Sequence, residues 1–165
     1  MAIPHTRGSR GALRLTPLQV TAAVIATVFL IIGVLGFIPG ITTGYGDLMW
    51  AGHHSDAQLL GLFDVSILHN IVHLAFGVAG LLMAQTARLA RAYLIGGGII
   101  YAVLWVYGLV IDHGSAANFL PVNTADNWLH FGLAVVMIAA GVVLGRGLTR
   151  RSTSGSDTGA PGTIE

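Results

Sequence analysis

Cysteine is absent from this sequence, which excludes disulfides, thiolate-held zinc, iron–sulfur clusters and thioether-linked haem. A cofactor would have to be held by histidine, carboxylate, amide or backbone groups. Lysine is absent too, so that all eight basic residues are arginine, and a formal net charge of +1 leaves no broad basic face for nucleic acid. Charge of either sign is scarce, at 9% of residues against 54% hydrophobic, with a mean hydropathy of +0.76. That balance is too apolar for the surface of a soluble domain of this size. The chain reads as an integral membrane protein whose first partner is the lipid bilayer. No combination of serine, lysine or paired carboxylates offers a nucleophile beside its base, which points away from an enzyme.

Four uncharged or nearly uncharged runs remain, at residues 18–38, 65–84, 92–111 and 127–145. Each is close to the roughly 20 residues that a helix rising about 1.5 Å per residue needs to cross a bilayer. They predict an all-α fold, an integral membrane four-helix bundle occupying residues 18–146. Residues 1–17 form a basic arm with Arg7, Arg10 and Arg14, and residues 147–165 a polar tail without apolar periodicity, expected to be disordered. Pro39-Gly40 ends the first run, and Gln85 to Arg91 reads as a tight turn between the second and third. In the long connection after the first run, Ser55 to Leu60 suggests a capped turn of helix at the interface, with Leu59, Leu60, Leu62 and Phe63 dipping into lipid. His53-His54 in the same loop reads as solvated.

The arginines give an orientation. They lie before the first run, between the second and third, and after the fourth, while the other two connections have none and carry aspartates. Under the positive-inside rule both termini are cytoplasmic, giving a multi-pass plasma-membrane protein with its aspartate-bearing loops outside.

The second and fourth runs open alike. Asn70-Ile71-Val72-His73 and Asn127-Trp128-Leu129-His130 share an Asn-x-x-His pattern followed four residues later by a small residue, Gly77 or Ala134. Along span two, Asn70, His73, Gly77, Gly80 and Ala84 fall on one helical face, and span four repeats the plan with Asn127, His130, Ala134 and Gly141. Small faces of this kind pack against neighbouring helices, which places spans two and four together at the bundle centre. Gly36 and Gly108 occupy similar late positions in spans one and three. A duplicated helical hairpin about an axis along the membrane normal is the economical reading.

The Leu-Leu-Gly-Leu-Phe stretch at 59–63, Leu-His-Asn-Ile-Val-His-Leu at 68–74 and Ala-Asp-Asn-Trp-Leu-His at 125–130 resemble the signature segments of a bacterial membrane family known as domain of unknown function 4383. The resemblance covers about residues 18–145. It implies a four-span fold and supplies no activity, cofactor or catalytic residue.

Three roles suit the polar cluster of His69, Asn70, His73, Asp126, Asn127 and His130. A structural seam would pair Asn70 with His130 and Asn127 with His73, each bond contributing roughly 0.5–2 kcal/mol. A ligand site would use His69, His73 and His130 on a metal, or His73 and His130 on haem b. A proton or cation path would run past Asp64, His69, His73, Asp126 and His130, but the inner two thirds of the spans hold no ionisable group to continue it. The structural seam is favoured and no cofactor is expected. The chain is then a non-enzymatic accessory component, with a second copy or another membrane protein as a further partner.

Overall fold

The computed structural model describes residues 15–146. Nearly all of the expected basic arm, and all of the tail over 147–165, lie outside the described residues. Four helices dominate: α1 (Pro17–Leu35), α2 (Ile67–Met83), α3 (Ala87–Val110) and α4 (Thr124–Val143). The fold is therefore all-α in its main elements, and α1, α3 and α4 are each long and apolar enough to cross a membrane, while α2 has 17 residues.

Every helix starts on a polar cap that satisfies backbone N–H groups the helix itself leaves open. Thr16 and Gln19 form a capping box ahead of Pro17 in the first helical turn. The Ser66 hydroxyl accepts from His69 N at 3.1 Å. Thr86 accepts from Leu89 N. Asn123 accepts from the backbone of Ala125 and Asp126, and the Asp126 carboxylate accepts in return from Asn123 N.

The Thr86 cap corrects the expected turn at 85–91. Arg88 and Arg91 belong to the opening turns of α3, and Arg91 Nε donates to the Gly141 carbonyl at 3.3 Å.

The interfacial helix expected near Ser55 is also corrected. The connection from α1 to α2 contains a small antiparallel sheet, β1 (Thr42–Thr43), β2 (Gln58–Leu59) and β3 (Phe63–Asp64), in that spatial order. Leu60 and Gly61 both take positive φ, 56° and 68°, and turn the chain back directly after Leu59, which no helix permits. Ser55 works within the loop instead of capping a helix: its hydroxyl donates to the Val65 carbonyl at 2.6 Å. Leu59 is buried beneath the sheet with Ala57 and Val65, while Leu60 and Leu62 are exposed.

Packing follows chain order. α1 lies along α2 and α3 along α4, and the two hairpins meet chiefly through α1 and α3. This overturns the expectation that the small faces of spans two and four pack on each other. Gly77 instead lies on the Ala26 carbonyl and Leu30 of α1, and Gly141 on Leu94 and Ile95 of α3. Small residues let two backbones approach, and here the nearest backbone is the preceding antiparallel helix. At the centre, Phe29 of α1 stacks on Tyr101 of α3 with centroids 5.4 Å apart and planes 10° from parallel.

Candidate polar cavity between the hairpins

The caps fix the first turn of α2 and of α4, and three to seven residues later each helix presents its polar groups inward. Asn70 sits where Gly36 leaves room on α1, and Asn127 where Gly108 leaves room on α3: a Cβ on either glycine would overlap the amide. His73 lies against Phe29 with ring centroids 5.6 Å apart, and His130 against Tyr101 at 5.3 Å. The Ala26–Gly77 contact of the first hairpin returns in the second as Gly98 against the Ala134 carbonyl, with the glycine moved to the other helix. Ser66 and Asn123 cap at the same register, and His69 corresponds to Asp126. The two hairpins thus repeat one set of contacts.

All six residues of the expected cluster are buried. They do not make the expected bonds. Each asparagine lies against a glycine of its own hairpin, because that glycine offers the nearest space, rather than pairing with the histidine of the other hairpin. His73 Nδ1 donates to the His69 carbonyl at 3.0 Å, and the two rings stack with centroids 4.6 Å apart. Asp126 Oδ2 accepts from Asp64 N in β3 and from Asn123 N, both at 3.0 Å, and Asn123 Nδ2 donates to Leu62 O and Asp64 Oδ1. The cap of α4 is in this way tied to the edge of the sheet. His69 Nδ1, Asn70 Nδ2, Asn127 Oδ1 and His130 Nδ1 are buried with no hydrogen-bond partner. Each such group costs roughly 1–3 kcal/mol if nothing satisfies it.

His69, Asn70, His73, Asp126 and His130 line one end of a cavity of about 410 Å³. The remaining wall is apolar: Phe29 and Ile32 from α1, Leu59 and Phe63 from the sheet, Leu129 and Leu133 from α4. The volume falls within the roughly 300–1,000 Å³ of small-molecule sites, as does the pattern of apolar walls with a few convergent polar groups. Among the described residues no three His, Asp or Glu side chains are arranged to hold a metal ion, so His69, His73 and His130 do not make a three-ligand centre in this arrangement. Nor do His73 and His130 flank an open slot for haem: a run of rings, His73–Phe29–Tyr101–His130, joins them.

The sequence reading missed the cavity, the sheet that roofs it, and Phe29 and Tyr101. A readable signal existed for the two rings, since they stand seven residues before Gly36 and Gly108, on the same helical face.

A family model described as a domain of unknown function (DUF4383) matches residues 19–143. The chain belongs to this family. The DUF4383 match runs from the first turn of α1 to the last residue of α4, and so takes in all four helices, the sheet and the whole cavity. No curated protein and no solved structure matches the chain.

Proposed function

We propose that this DUF4383 chain is a four-span plasma-membrane protein, built as a duplicated helical hairpin, that acts as a non-enzymatic accessory component by holding a small guest molecule in the cavity between its hairpins. One observation carries the reading: His69, Asn70 and His130, three buried polar side chains each with an unpartnered atom, are among the residues that line a cavity large enough for a small molecule. A seam serving only stability would bond these groups to each other.

Topology supports the setting. α1 is long and apolar enough to cross, and α2 starts beside its far end, with Asn70 against Gly36, and returns the chain. α3 and α4 repeat that return. Arg88, Arg91 and Arg146 then lie at one end and Asp47, Asp56, Asp64 and Asp112 at the other, a distribution that under the positive-inside rule supports cytoplasmic termini and a cavity toward the outer face. At 17 residues α2 covers about 26 Å, slightly less than the roughly 30 Å hydrocarbon core, a mismatch that local thinning accommodates.

Two measurements test this. A reporter active only outside the cytoplasm should work when fused at Gly52 or Ala117 and stay silent after Arg151; the reverse would overturn the orientation. Mass spectrometry of the gently purified full chain should find a stoichiometric small molecule that Leu133→Phe, which fills the cavity, releases. An empty cavity in both proteins would return the cluster to a purely structural role, and a Soret band in the visible spectrum would replace the guest with haem.

A further inference from the structure

We infer that the guest is a lipophilic cation, a protonated amine on a hydrocarbon or aromatic body, and that its N–H groups bond to Asp126 at the polar end of the cavity. The inference rests on the guest-binding reading and adds to it the charge and donor class of the ligand.

The atoms open to the cavity set this class. His69 Nδ1, Asn70 Nδ2 and His130 Nδ1 are sealed in the packing and reach no guest. The Asn70 amide fills the notch at Gly36, and the His69 ring lies against the backbone of Pro121 and Asp64. Asp126 is different. It is only 3% exposed and its Oδ2 takes two backbone N–H bonds, but Oδ1 takes none and is not one of the sealed atoms, so on a residue that lines the cavity it is the oxygen left open. His73 is alike: its Nδ1 donates to the His69 carbonyl, so in the neutral ring Nε2 holds the lone pair, and that nitrogen is neither bonded nor sealed. Both open atoms accept. A guest that satisfies them needs donors.

Charge selects among donors. Asp64 stands beside Asp126, its Oδ1 accepting from Asn123 Nδ2 and Gln58 Nε2, so two carboxyl groups share this corner. The arginines of the described residues, Arg88, Arg91 and Arg146, open α3 or follow α4, so none reaches Asp126 in the first turn of α4. A carboxylate held out of water without a counter-cation is costly, and an ammonium group supplies both the charge and the N–H donors.

The body of the guest has one place to go. Between α2 and α3 the ring of Phe76 lies against Phe29, Tyr93 and Tyr101 at centroid distances of 5.0, 5.1 and 5.7 Å and fills the groove. At the matching place between α4 and α1 stands Leu133, smaller and without ring contacts, and the cavity lies there, walled by Ile25, Val28 and Leu129. That wall takes a chain or a ring and no second charge.

The full chain in phosphatidylcholine nanodiscs is titrated calorimetrically with phenylbutylamine, phenylbutanol and phenylbutyrate, which share one body and differ in the head, empty nanodiscs correcting for partition into lipid. At mildly alkaline pH, where the amine keeps its proton, it should bind at least about tenfold more tightly than the alcohol, the worth of one charge-assisted hydrogen bond. Phenylbutyrate should bind most weakly. Asp126→Asn keeps an oxygen for the two backbone N–H groups but removes the charge, and should erase the amine's advantage. Leu133→Phe, which fills the cavity, should weaken all three. If Asp126→Asn fails to fold, the ranking of the three probes on the unaltered chain still decides. Equal affinity for amine and alcohol overturns the cationic head but leaves guest binding standing, and so does tighter binding of phenylbutyrate, which would make an imidazolium the dominant charge. An advantage that survives Asp126→Asn, or amine binding untouched by Leu133→Phe, overturns the assigned site. Binding of none of the three overturns the whole inference, and the co-purification experiment then decides separately whether any guest is held.

Discussion

The first hairpin, α1 with α2, seats Asn70 on Gly36 and His73 on Phe29; the second, α3 with α4, seats Asn127 on Gly108 and His130 on Tyr101. Where they agree, the contacts are those any such hairpin needs: a capped start, an amide in a glycine notch, an imidazole on an aromatic ring. Two of the differences fall at the cavity or its blocked counterpart. His69 stands opposite Asp126 in register, so an imidazole from one hairpin and a carboxyl group from the other line the same end of the cavity. Phe76 stands where the other half has Leu133, which closes one groove and leaves its mate open. The connections differ as well, since only the first hairpin has the sheet that roofs the site. Shared positions build the two halves, and divergent ones make a single cavity out of a twofold plan.

The largest effects should come from the shared notches. Gly36→Leu and Gly108→Leu each drive a side chain into a buried amide, and overpacking of that kind costs roughly 3 kcal/mol. Thermal unfolding in detergent should show similar losses for both. A large loss in one hairpin beside a negligible loss in the other would break the equivalence of the halves.

Next comes the position that tells the halves apart. Phe76→Leu removes a ring packed on three others and should cost roughly 1–3 kcal/mol, somewhat less than a full truncation to alanine. It should also open the groove between α2 and α3, raising the number of guest molecules bound per chain above that of the wild type. An unchanged stoichiometry would mean that Phe76 is not what closes that groove. Leu133→Phe should change stability by no more than about 1.5 kcal/mol and abolish guest binding.

Much of this plan was legible in the sequence. The two Asn-x-x-His motifs lie on one face by helical period alone, and charge scarcity with four apolar runs fixed the all-α class. Which helix each small face meets was not legible: Gly77 and Ala134 announce a close approach without saying to what, and the nearest antiparallel neighbour won over the symmetric partner. The sheet was hidden because Ser55 with the apolar residues after it fits a helix start, and nothing about Leu60 announces a left-handed backbone, which leucine rarely adopts. The cavity was hidden for a different reason. A void is a property of what fails to fill it, and in the chain it appears only as a leucine at 133 where the repeat has a phenylalanine at 76.

The smallest expected effect is the most exacting test of the shared plan. At one crossing the first hairpin has Ala26 on α1 and Gly77 on α2, and the second has Gly98 on α3 and Ala134 on α4. Gly98→Ala alone gains about 1 kcal/mol of helix propensity but sets a methyl 2.6 Å from Ile138 Cγ1 and 3.1 Å from the Ala134 carbonyl. Ala134→Gly alone loses that propensity and leaves a gap. Made together, the propensity terms cancel, and the second hairpin acquires the arrangement that the first already packs. The double variant should therefore lie within about 1 kcal/mol of wild type and lose less than the sum of the single changes, a coupling of at least roughly 0.5 kcal/mol in a double-mutant cycle. Strict additivity would show that the two crossings differ in backbone separation, and that the repeat extends to the polar cluster but not to the seam beneath it.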